Sequence, residues 1–287
     1  MSTSSPHPDN AAQADYWNGV VGRRWSDHQE RQDQVLKPIS ERLLAVADAK
    51  PGELVIDVGC GCGSLTIDVA ARVAPHGEVL GLDISEPMLA RARERAPEDS
   101  PARFLRADPT VYELPPGAID LVVSRFGVMF FADPARTFAN LRRGMRAGAR
   151  LALACWREAS QNPWLHVPLS EAAKHAPPPP EAGPEEPGPF AFAIGTRVQR
   201  ILSEAGFADV VLTPEELELD IAVGQGLDAA VAAALTIGPA GRMLENQSEA
   251  VRAAAAADIR AALSARAVGD RVPLGASIWI VTARNPA

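Results

Sequence analysis

Cysteine and basic residues are scarce in this 287-residue sequence. Only three cysteines occur, two of them inside one glycine-rich run. That number does not make a disulfide framework and fits reduced thiols in a reducing compartment. The 28 Lys and Arg residues are outnumbered by 36 Asp and Glu, which gives a net charge of −8. Because affinity for phosphate backbones is built mainly from clustered Lys and Arg, we expect no nucleic-acid partner.

Long apolar runs and a secretory leader are missing as well. No apolar run approaches the roughly 20 residues needed to span a bilayer. The first eight residues, MSTSSPHP, hold no basic stretch followed by an apolar one, so a secretory signal is not supported. We therefore expect no membrane span and a cytoplasmic location. The 47% hydrophobic and 22% charged residues are typical of a globular protein that buries a core.

Apolar segments with β-branched residues alternate with helix-spaced ones through the middle of the chain. Strands are predicted over residues 53–58, 78–83, 102–107, 118–124 and 150–156. Helices are predicted over 64–73, after Ser85 and after Asp133. This alternation implies right-handed crossovers and therefore an α/β fold with a parallel, doubly wound sheet.

The flanking regions differ in kind from this alternating part. Before it, the pattern predicts a polar, mobile tail to about residue 12 and then two helices that end near residue 49. After it, a proline-rich stretch over 176–189 predicts an extended, semi-rigid loop. The remaining predicted elements are a helix over 196–205, strand material at 210–212 and 217–221, an alanine-rich helical region over 227–267 and a last strand over 276–283.

A glycine-rich loop follows the first predicted strand. In Asp57-Val58-Gly59-Cys60-Gly61-Cys62-Gly63, alternate glycines let the backbone turn sharply and approach a ligand closely. A dinucleotide fingerprint would need its third glycine at position 64, which is Ser64. Asp83 ends the second strand, where a carboxylate can accept both hydroxyls of a ribose, and Asp108 follows the third. Because ligands of parallel sheets bind at the carboxyl edge, we expect the functional site there.

These motifs resemble those of the class I S-adenosylmethionine-dependent methyltransferases, in the branch that includes small-molecule and quinone methyltransferases. The resemblance is carried by VIDVGCGCG at 55–63, GLDISEPML at 81–89 and DLVVS at 120–124. It implies a Rossmann-like, mostly parallel seven-stranded sheet with an antiparallel last strand and helical lid additions. It also implies S-adenosylmethionine as cofactor, S-adenosylhomocysteine as product and methyl transfer to a small-molecule acceptor.

The resemblance assigns four loop residues to one end of the cofactor. Gly59, Gly61 and Gly63 are expected beside its methionyl part. Asp57 is expected near its ammonium group.

Five further residues are predicted to bind the rest of the cofactor. By the resemblance, Asp83, next to Ile84, holds the ribose hydroxyls and Asp108 holds the adenine amine. Tyr16 and Trp25 are predicted lid residues, with core packing of a helix pair as the alternative.

Aromatic residues near the ends of the fourth and fifth strands predict the acceptor side. The predicted acceptor-binding residues are Arg125, Phe126, Phe130, Trp156 and Trp164. They would form an aromatic pocket with one fixed positive charge, which suits a flat or apolar acceptor that carries an anion. His28 and His166 are the catalytic candidates, since a hydroxyl nucleophile usually needs a base. An ordinary surface or capping role is the alternative for both.

The sequence thus predicts three regions: an N-terminal helical lid (1–50), a cofactor-binding Rossmann-like core (51–160) and an acceptor-side part (161–287). The last comprises an insertion, the proline-rich loop, a helical addition and the final sheet strands. Two alternatives stay open, an S-adenosylmethionine-binding protein without transferase activity and a nicotinamide-dependent oxidoreductase, which Ser64 disfavours. Without a second Cys/His pair nearby, Cys60 and Cys62 are expected to be small buried loop residues rather than metal ligands. The oligomeric state is not indicated.

Overall fold

Three helices precede the sheet in the computed structural model, which describes residues 6–177, 183 and 185–286. They are α1 (Ala11–Asn18), α2 (Val20–Asp27) and α3 (Gln29–Ala47). The predicted polar tail is wrong beyond its first residues, because Pro8–Asn10 forms a 3-10 turn that leads directly into α1. Residues 1–5 lie outside the described part. Three helices stand where two were predicted, since Gly19 and His28 each end one helix and begin the next.

A seven-stranded sheet forms the centre of the fold. Its strands are β1 (Leu54–Val58), β2 (Glu78–Asp83), β3 (Ala102–Arg106), β4 (Ile119–Arg125), β5 (Met145–Trp156), β6 (Ala208–Asp220) and β7 (Pro273–Arg284). The spatial order is β3-β2-β1-β4-β5-β7-β6. The first five strands run parallel, whereas β7 is antiparallel to both of its neighbours. The predicted mostly parallel, Rossmann-like seven-stranded sheet with an antiparallel last strand is confirmed.

Eight further helices connect or cover the strands. They are α4 (Ser64–Val73), α5 (Glu86–Arg95), α6 (Pro134–Gly144), α7 (Pro163–Ala172), α8 (Gly195–Glu204), α9 (Gly226–Thr236), α10 (Pro239–Leu244) and α11 (Glu249–Ser264). Asp133 caps α6 by accepting a hydrogen bond from the N–H of Arg136 at 3.0 Å. The predicted alanine-rich helical region is three helices, because Gly238 at φ 97° and the N-cap Ser248 interrupt it.

One edge of the sheet departs from the predicted strand pattern. The two predicted pieces of strand are the continuous β6, in which Pro214 pairs with Trp279 of β7. Pro214 is tolerated because β6 is an edge strand, so the missing N–H removes no bond to a second neighbour. Of the proline-rich loop predicted over 176–189, residues 178–182 and 184 lie outside the described part.

Two hydrophobic cores hold these layers together. The larger lies on both faces of the sheet, and it explains why β1 reads as a continuous apolar run: Val55, Ile56 and Val58 are all buried. The smaller is formed mainly by α7, α9, α10 and α11, which pack together beyond the sheet end. Within the described part of the chain, no helix is both long enough and apolar enough to span a membrane.

Candidate active site

A large cavity lies over the carboxyl ends of the parallel strands, under helices of the N-terminal region and of the smaller core. Most of the residues that the sequence predicts for cofactor or acceptor line it: Tyr16, Trp25, Asp57, Gly59, Gly61, Asp83, Ile84, Asp108, Arg125, Phe126, Phe130, Trp156 and Trp164. Gly63, His28 and His166 do not. The topology therefore brings the two predicted sets into one continuous space.

The glycine loop forms the floor of this cavity. Gly59 has a φ of +67°, and a Cβ there would lie 2.5 Å from the Cα of Gly127. Gly61 has a φ of +54°, and a Cβ there would lie 2.8 Å from the terminal methyl of Met88. A side chain at either position would be strained and would crowd the floor. Gly63 serves packing instead, since a Cβ there would meet the ring of Phe104 at 2.8 Å.

Asp83 links the end of β2 to the glycine loop. One carboxylate oxygen accepts the N–H of Gly61 at 2.7 Å, and the other accepts the N–H of Ser85 at 2.8 Å. Burial raises the pKa of Asp83, and these backbone hydrogen bonds oppose that shift. A carboxylate offers about four acceptor positions, so each oxygen keeps one for a ligand.

Asp57, at the end of β1, is a buried carboxyl group in the cavity wall. The hydroxyl of Thr66 donates a hydrogen bond to it at 2.6 Å. Burial raises the pKa of Asp57 to about 7, and the Thr66 hydrogen bond and the charge of Arg125 act against the shift. Its charge is therefore costly unless a cation binds beside it.

Asp108 is held by the segment that precedes α1. One oxygen accepts the N–H of His7 and the side-chain amide of Asn10, both at 2.8 Å, and the other accepts the N–H of Thr110 at 2.8 Å. The carboxylate therefore has little free acceptor capacity, mainly on the second oxygen. The N-terminal segment packs on the adenine side that the resemblance assigns to Asp108.

Aromatic rings form the opposite wall. Phe126 stacks on Trp156 with centroids 4.1 Å apart and an interplanar angle of 11°. Trp164 extends this wall, with its ring 4.9 Å from that of Trp156. Phe130 meets Trp17 edge to face at 5.1 Å. Phe126 also has a φ of +72°, unusual for a side chain of this size, and such strain is concentrated at functional sites.

Arg125, at the end of β4, lines the cavity and is compensated by acids. Its guanidinium donates to the hydroxyl of Ser40 at 2.5 Å and lies 3.9 Å from a carboxylate oxygen of Asp33. Burial lowers the pKa of Arg125, and the charges of Asp33, Asp57 and Asp68 oppose this. The predicted fixed positive charge is present, but it is largely balanced by the protein.

The two candidate histidines lie outside the cavity. His28 stands at the junction of α2 and α3, and His166 is exposed on α7. No histidine of the described residues lines the cavity. The structure thus gives neither residue a position from which it could take a proton from an acceptor bound there.

Several cavity residues were not predicted from the sequence. Arg24 pairs with Glu245 at 2.8 Å, and Arg242 donates to the hydroxyl of Tyr16 at 2.7 Å, so α1 and α2 are tied to α10 and its C-terminal flank. Gln13 on α1 has a buried side-chain oxygen without a hydrogen-bond partner among the described residues. Gln13, Arg24 and Arg242 all line the cavity. The partners of the two arginines lie more than 200 positions away in the chain, and Gln13 has none among the described residues. No local sequence pattern therefore marks these three residues.

All three cysteines are free and buried, and Cys60 and Cys62 lie in the glycine loop. Burial raises the pKa of Cys62 to about 12 and that of Cys60 well above its ordinary value. Thiols held neutral in this way are poor nucleophiles and poor metal ligands.

The sheet order, the glycine floor and the acid at the end of β2 define the class of protein: a class I methyltransferase fold with a cavity at the carboxyl edge of the sheet. Comparison with known proteins agrees. Residues 55–148 match the family model described as a methyltransferase domain. The chain is 32% identical over 199 residues to nocamycin O-methyltransferase of Saccharothrix syringae, a match that covers 65% of this chain and 70% of that protein.

A second relative and a solved structure give the same result. The chain is 31% identical over 210 residues to trans-aconitate 2-methyltransferase of Methylobacterium radiotolerans, covering 71% of this chain and 70% of that protein. In fold it is similar to phosphoethanolamine N-methyltransferase 2 of Haemonchus contortus, with a TM-score of 0.51, 18% identity, and coverage of 87% of this chain and 53% of that one. This chain belongs to the class I S-adenosylmethionine-dependent methyltransferase family.

The residues of the cavity fit the family cofactor. Gly59 and Gly61 have positive φ values and present backbone without a side chain to the cavity, so a ligand can approach the floor closely. Asp83 retains acceptor positions for hydroxyl groups, and the unpartnered oxygen of Gln13 offers one more acceptor. Asp57 is a buried carboxyl group that a cation would stabilise in its charged form.

Proposed function

We propose that this enzyme transfers the methyl group of S-adenosylmethionine to a small, largely apolar acceptor held between the glycine floor and the aromatic wall. The observation that carries the proposal is that one cavity contains both surfaces. A methyl transfer in one step needs donor and acceptor in the same enclosed space. Two relatives are named for transfer to nocamycin and to trans-aconitate, which supports a small-molecule acceptor.

For the cofactor, we assign the residues as the resemblance implies. Asp83 accepts the ribose hydroxyls on its free acceptor positions, with Ile84 beside it. Gly59 and Gly61 lie beside the methionyl part, and Asp57 lies near the ammonium group. These roles are supported by the position of all five residues on the cavity surface.

Three other residues complete the proposed cofactor side. Asp108 has one oxygen left to accept the adenine amine. Tyr16 and Trp25 cover the cavity from the N-terminal helices; Tyr16 is anchored by Arg242, and Trp25 packs on the main core as well. A lid role and a packing role are therefore combined in Trp25.

When bound, S-adenosylmethionine supplies an electrophilic methyl group that the acceptor nucleophile takes in an in-line displacement. The protein's own contribution is orientation and exclusion of water. The stacked pair of Phe126 and Trp156, extended by Trp164, offers a flat apolar surface for the acceptor. Phe130 and Trp17, whose rings meet edge to face, add further apolar surface to the same cavity. No histidine of the described residues lines the cavity, so a hydroxyl acceptor would have to lose its proton to another group, whereas an acceptor that is already ionised or that has a neutral lone pair needs no base.

Titration calorimetry with S-adenosylhomocysteine, and separately with NAD, tests the cofactor. We expect micromolar or tighter binding of S-adenosylhomocysteine and none of NAD, which would exclude the oxidoreductase alternative. Incubation with methyl-labelled S-adenosylmethionine and a panel of small aromatic and aliphatic acids and phenols then tests transfer. A protein that binds the cofactor but labels no member of a broad panel would favour the alternative of a binding protein without transferase activity. A cytoplasmic location remains a prediction of the sequence.

A further inference from the structure

Arg31, in the first turn of α3, is an arginine that the cofactor site does not use. It lines the cavity, and its terminal nitrogen Nη2 donates to the carbonyl oxygens of Ile221 and, at 3.0 Å, Ala229. These contacts join α3 to the end of β6 and to α9. Arg31 therefore stands where the N-terminal helices meet the helical addition.

Among the described residues, no carboxylate oxygen lies within 4.0 Å of this guanidinium, whose partners are the two carbonyl oxygens, and its buried Nε has no hydrogen-bond acceptor. Burial lowers the pKa of Arg31, and the charge of Asp220 opposes this. A buried charge without a partner is costly unless something else supplies the partner.

The acid whose charge acts on Arg31 is already engaged. Asp220 accepts the N–H groups of Ala222 at 3.0 Å, Gly224 at 2.9 Å and Val272 at 2.9 Å. Those bonds shape the turn after β6. Asp220 therefore compensates Arg31 only at a distance.

Each of the other arginines that line the cavity either lies near carboxylates or is exposed to solvent. Arg24 pairs with Glu245, and Arg125 is balanced by Asp33 and two further acids. Arg242 is exposed. Arg31 is thus the half-buried cavity arginine that lacks a carboxylate of its own.

Apolar residues of α7, of α9 and of the turn after β6 line the same cavity: Ile221, Ala234, Ile237, Leu165 and Pro168. The polar Gln32 and Asp33, which follow Arg31, line it as well. An arginine in such a setting presents planar, fixed donors, which match a carboxylate in geometry and charge.

We propose that Arg31 binds an anionic group of the acceptor, and that the acceptor class is an apolar carboxylic acid. This rests on the proposed function, because it assigns the acceptor end of the same cavity. Arg31 would thus recognise the negative charge of the acceptor where α3 meets α9. Arg125 would instead act on the charge of Asp57 on the cofactor side.

The test uses 2-naphthoate and its neutral analogue 2-naphthamide as probes, titrated calorimetrically into protein saturated with S-adenosylhomocysteine. We expect the wild-type protein to prefer the acid by about tenfold or more, as a charge-assisted contact would give. Arg31→Gln should abolish the preference while the amide binds as before. Arg42→Gln, an exposed site on the same helix that pairs with Glu215, should keep it.

Arg31→Lys separates charge recognition from a purely structural role of the carbonyl contacts. Lysine keeps the positive charge but lacks the planar donors of the guanidinium group, so we expect Arg31→Lys to retain part of the preference for the acid. The proposal is overturned if wild type prefers neither probe or binds neither, if Arg31→Gln keeps the preference, or if Arg31→Lys loses it as completely as Arg31→Gln does. Failure of the wild-type protein to bind S-adenosylhomocysteine would instead refute the proposed function, so the two failures are distinguishable.

Discussion

The carboxylate of Asp83 accepts the backbone N–H of Gly61 across 2.7 Å. One side chain at the end of β2 thereby fixes the loop that follows β1, and the same carboxylate faces the cavity. The residue proposed to bind the ribose also holds the glycine floor in shape. Loop geometry and ligand affinity are therefore coupled through a single group.

This coupling makes Asp83 the first residue to test. Asp83→Ala should weaken S-adenosylhomocysteine binding by about 1.5–3 kcal/mol, because it removes charged hydrogen-bond acceptors from both the ligand and the loop. Titration calorimetry measures the change, with the exposed Asp99→Asn as the control. An unchanged dissociation constant in Asp83→Ala would show that the ribose assignment is wrong.

The second prediction concerns Gly61 in the glycine floor. Gly61→Ala should weaken S-adenosylhomocysteine binding by about tenfold or more, since the new Cβ is strained at a φ of +54° and crowds Met88. Gly148→Ala is the matched control: Gly148 has a φ of +74°, but no atom lies within 4 Å of an added Cβ. Both variants should lose about 1 kcal/mol of unfolding free energy to backbone strain. Equal affinity for the ligand in the two variants would place the cofactor elsewhere.

Much of the sheet could be predicted from local patterns. β1 and β2 are short apolar runs between turn residues, and their loops carry the glycines and acids that mark the carboxyl edge. Phe126 and Trp156 end neighbouring parallel strands, so their approach follows from topology once the strand order is known. The sequence predicts strand material at 210–212 and 217–221, and the structure joins the two pieces in β6, where the edge position tolerates Pro214 between them.

The acceptor end could not be predicted in the same way. Arg31 meets carbonyl groups of Ile221 and Ala229, which lie 190 and 198 positions away. Nothing in the polar stretch around Arg31 distinguishes it from a solvated helix face. The position of His28 and His166 outside the cavity could not be predicted for a related reason: the residue type does not tell whether a helix turns a side chain toward a cavity.

The third prediction concerns pH and Asp57. Its pKa in the folded protein is about 7, above the value of about 3.9 expected in the unfolded chain, so the folded protein binds this proton more tightly. The free energy of unfolding should therefore fall as the pH rises from about 4 to about 7, by up to about 1.4 kcal/mol per unit from this group, and level off above.

Asp57→Asn removes the titration and should flatten that part of the profile. Denaturant unfolding of the ligand-free protein at several pH values measures the difference, with Asp99→Asn as the control for a lost surface charge. Parallel profiles for wild type and Asp57→Asn would mean that the carboxyl group is not held protonated below pH 7.

The last prediction uses the titration of Asp57 to distinguish the roles of Arg125 and Arg31. The charge of Arg125 lowers the pKa of Asp57, although burial outweighs it. Arg125→Met should therefore raise that pKa further, and the fall in unfolding free energy should continue to a higher pH than in the wild-type protein. S-Adenosylhomocysteine should accordingly bind more weakly to Arg125→Met at pH 7 than at pH 8, because Asp57 must ionise to hold the ammonium group. Arg31→Gln should leave the profile unchanged, since no charge of Arg31 acts on Asp57, and Arg103→Met, on the exposed face of β3, serves as the distant control. If Arg125→Met and Arg31→Gln shift the profile equally, the division of the cavity into a cofactor-side and an acceptor-side arginine does not hold.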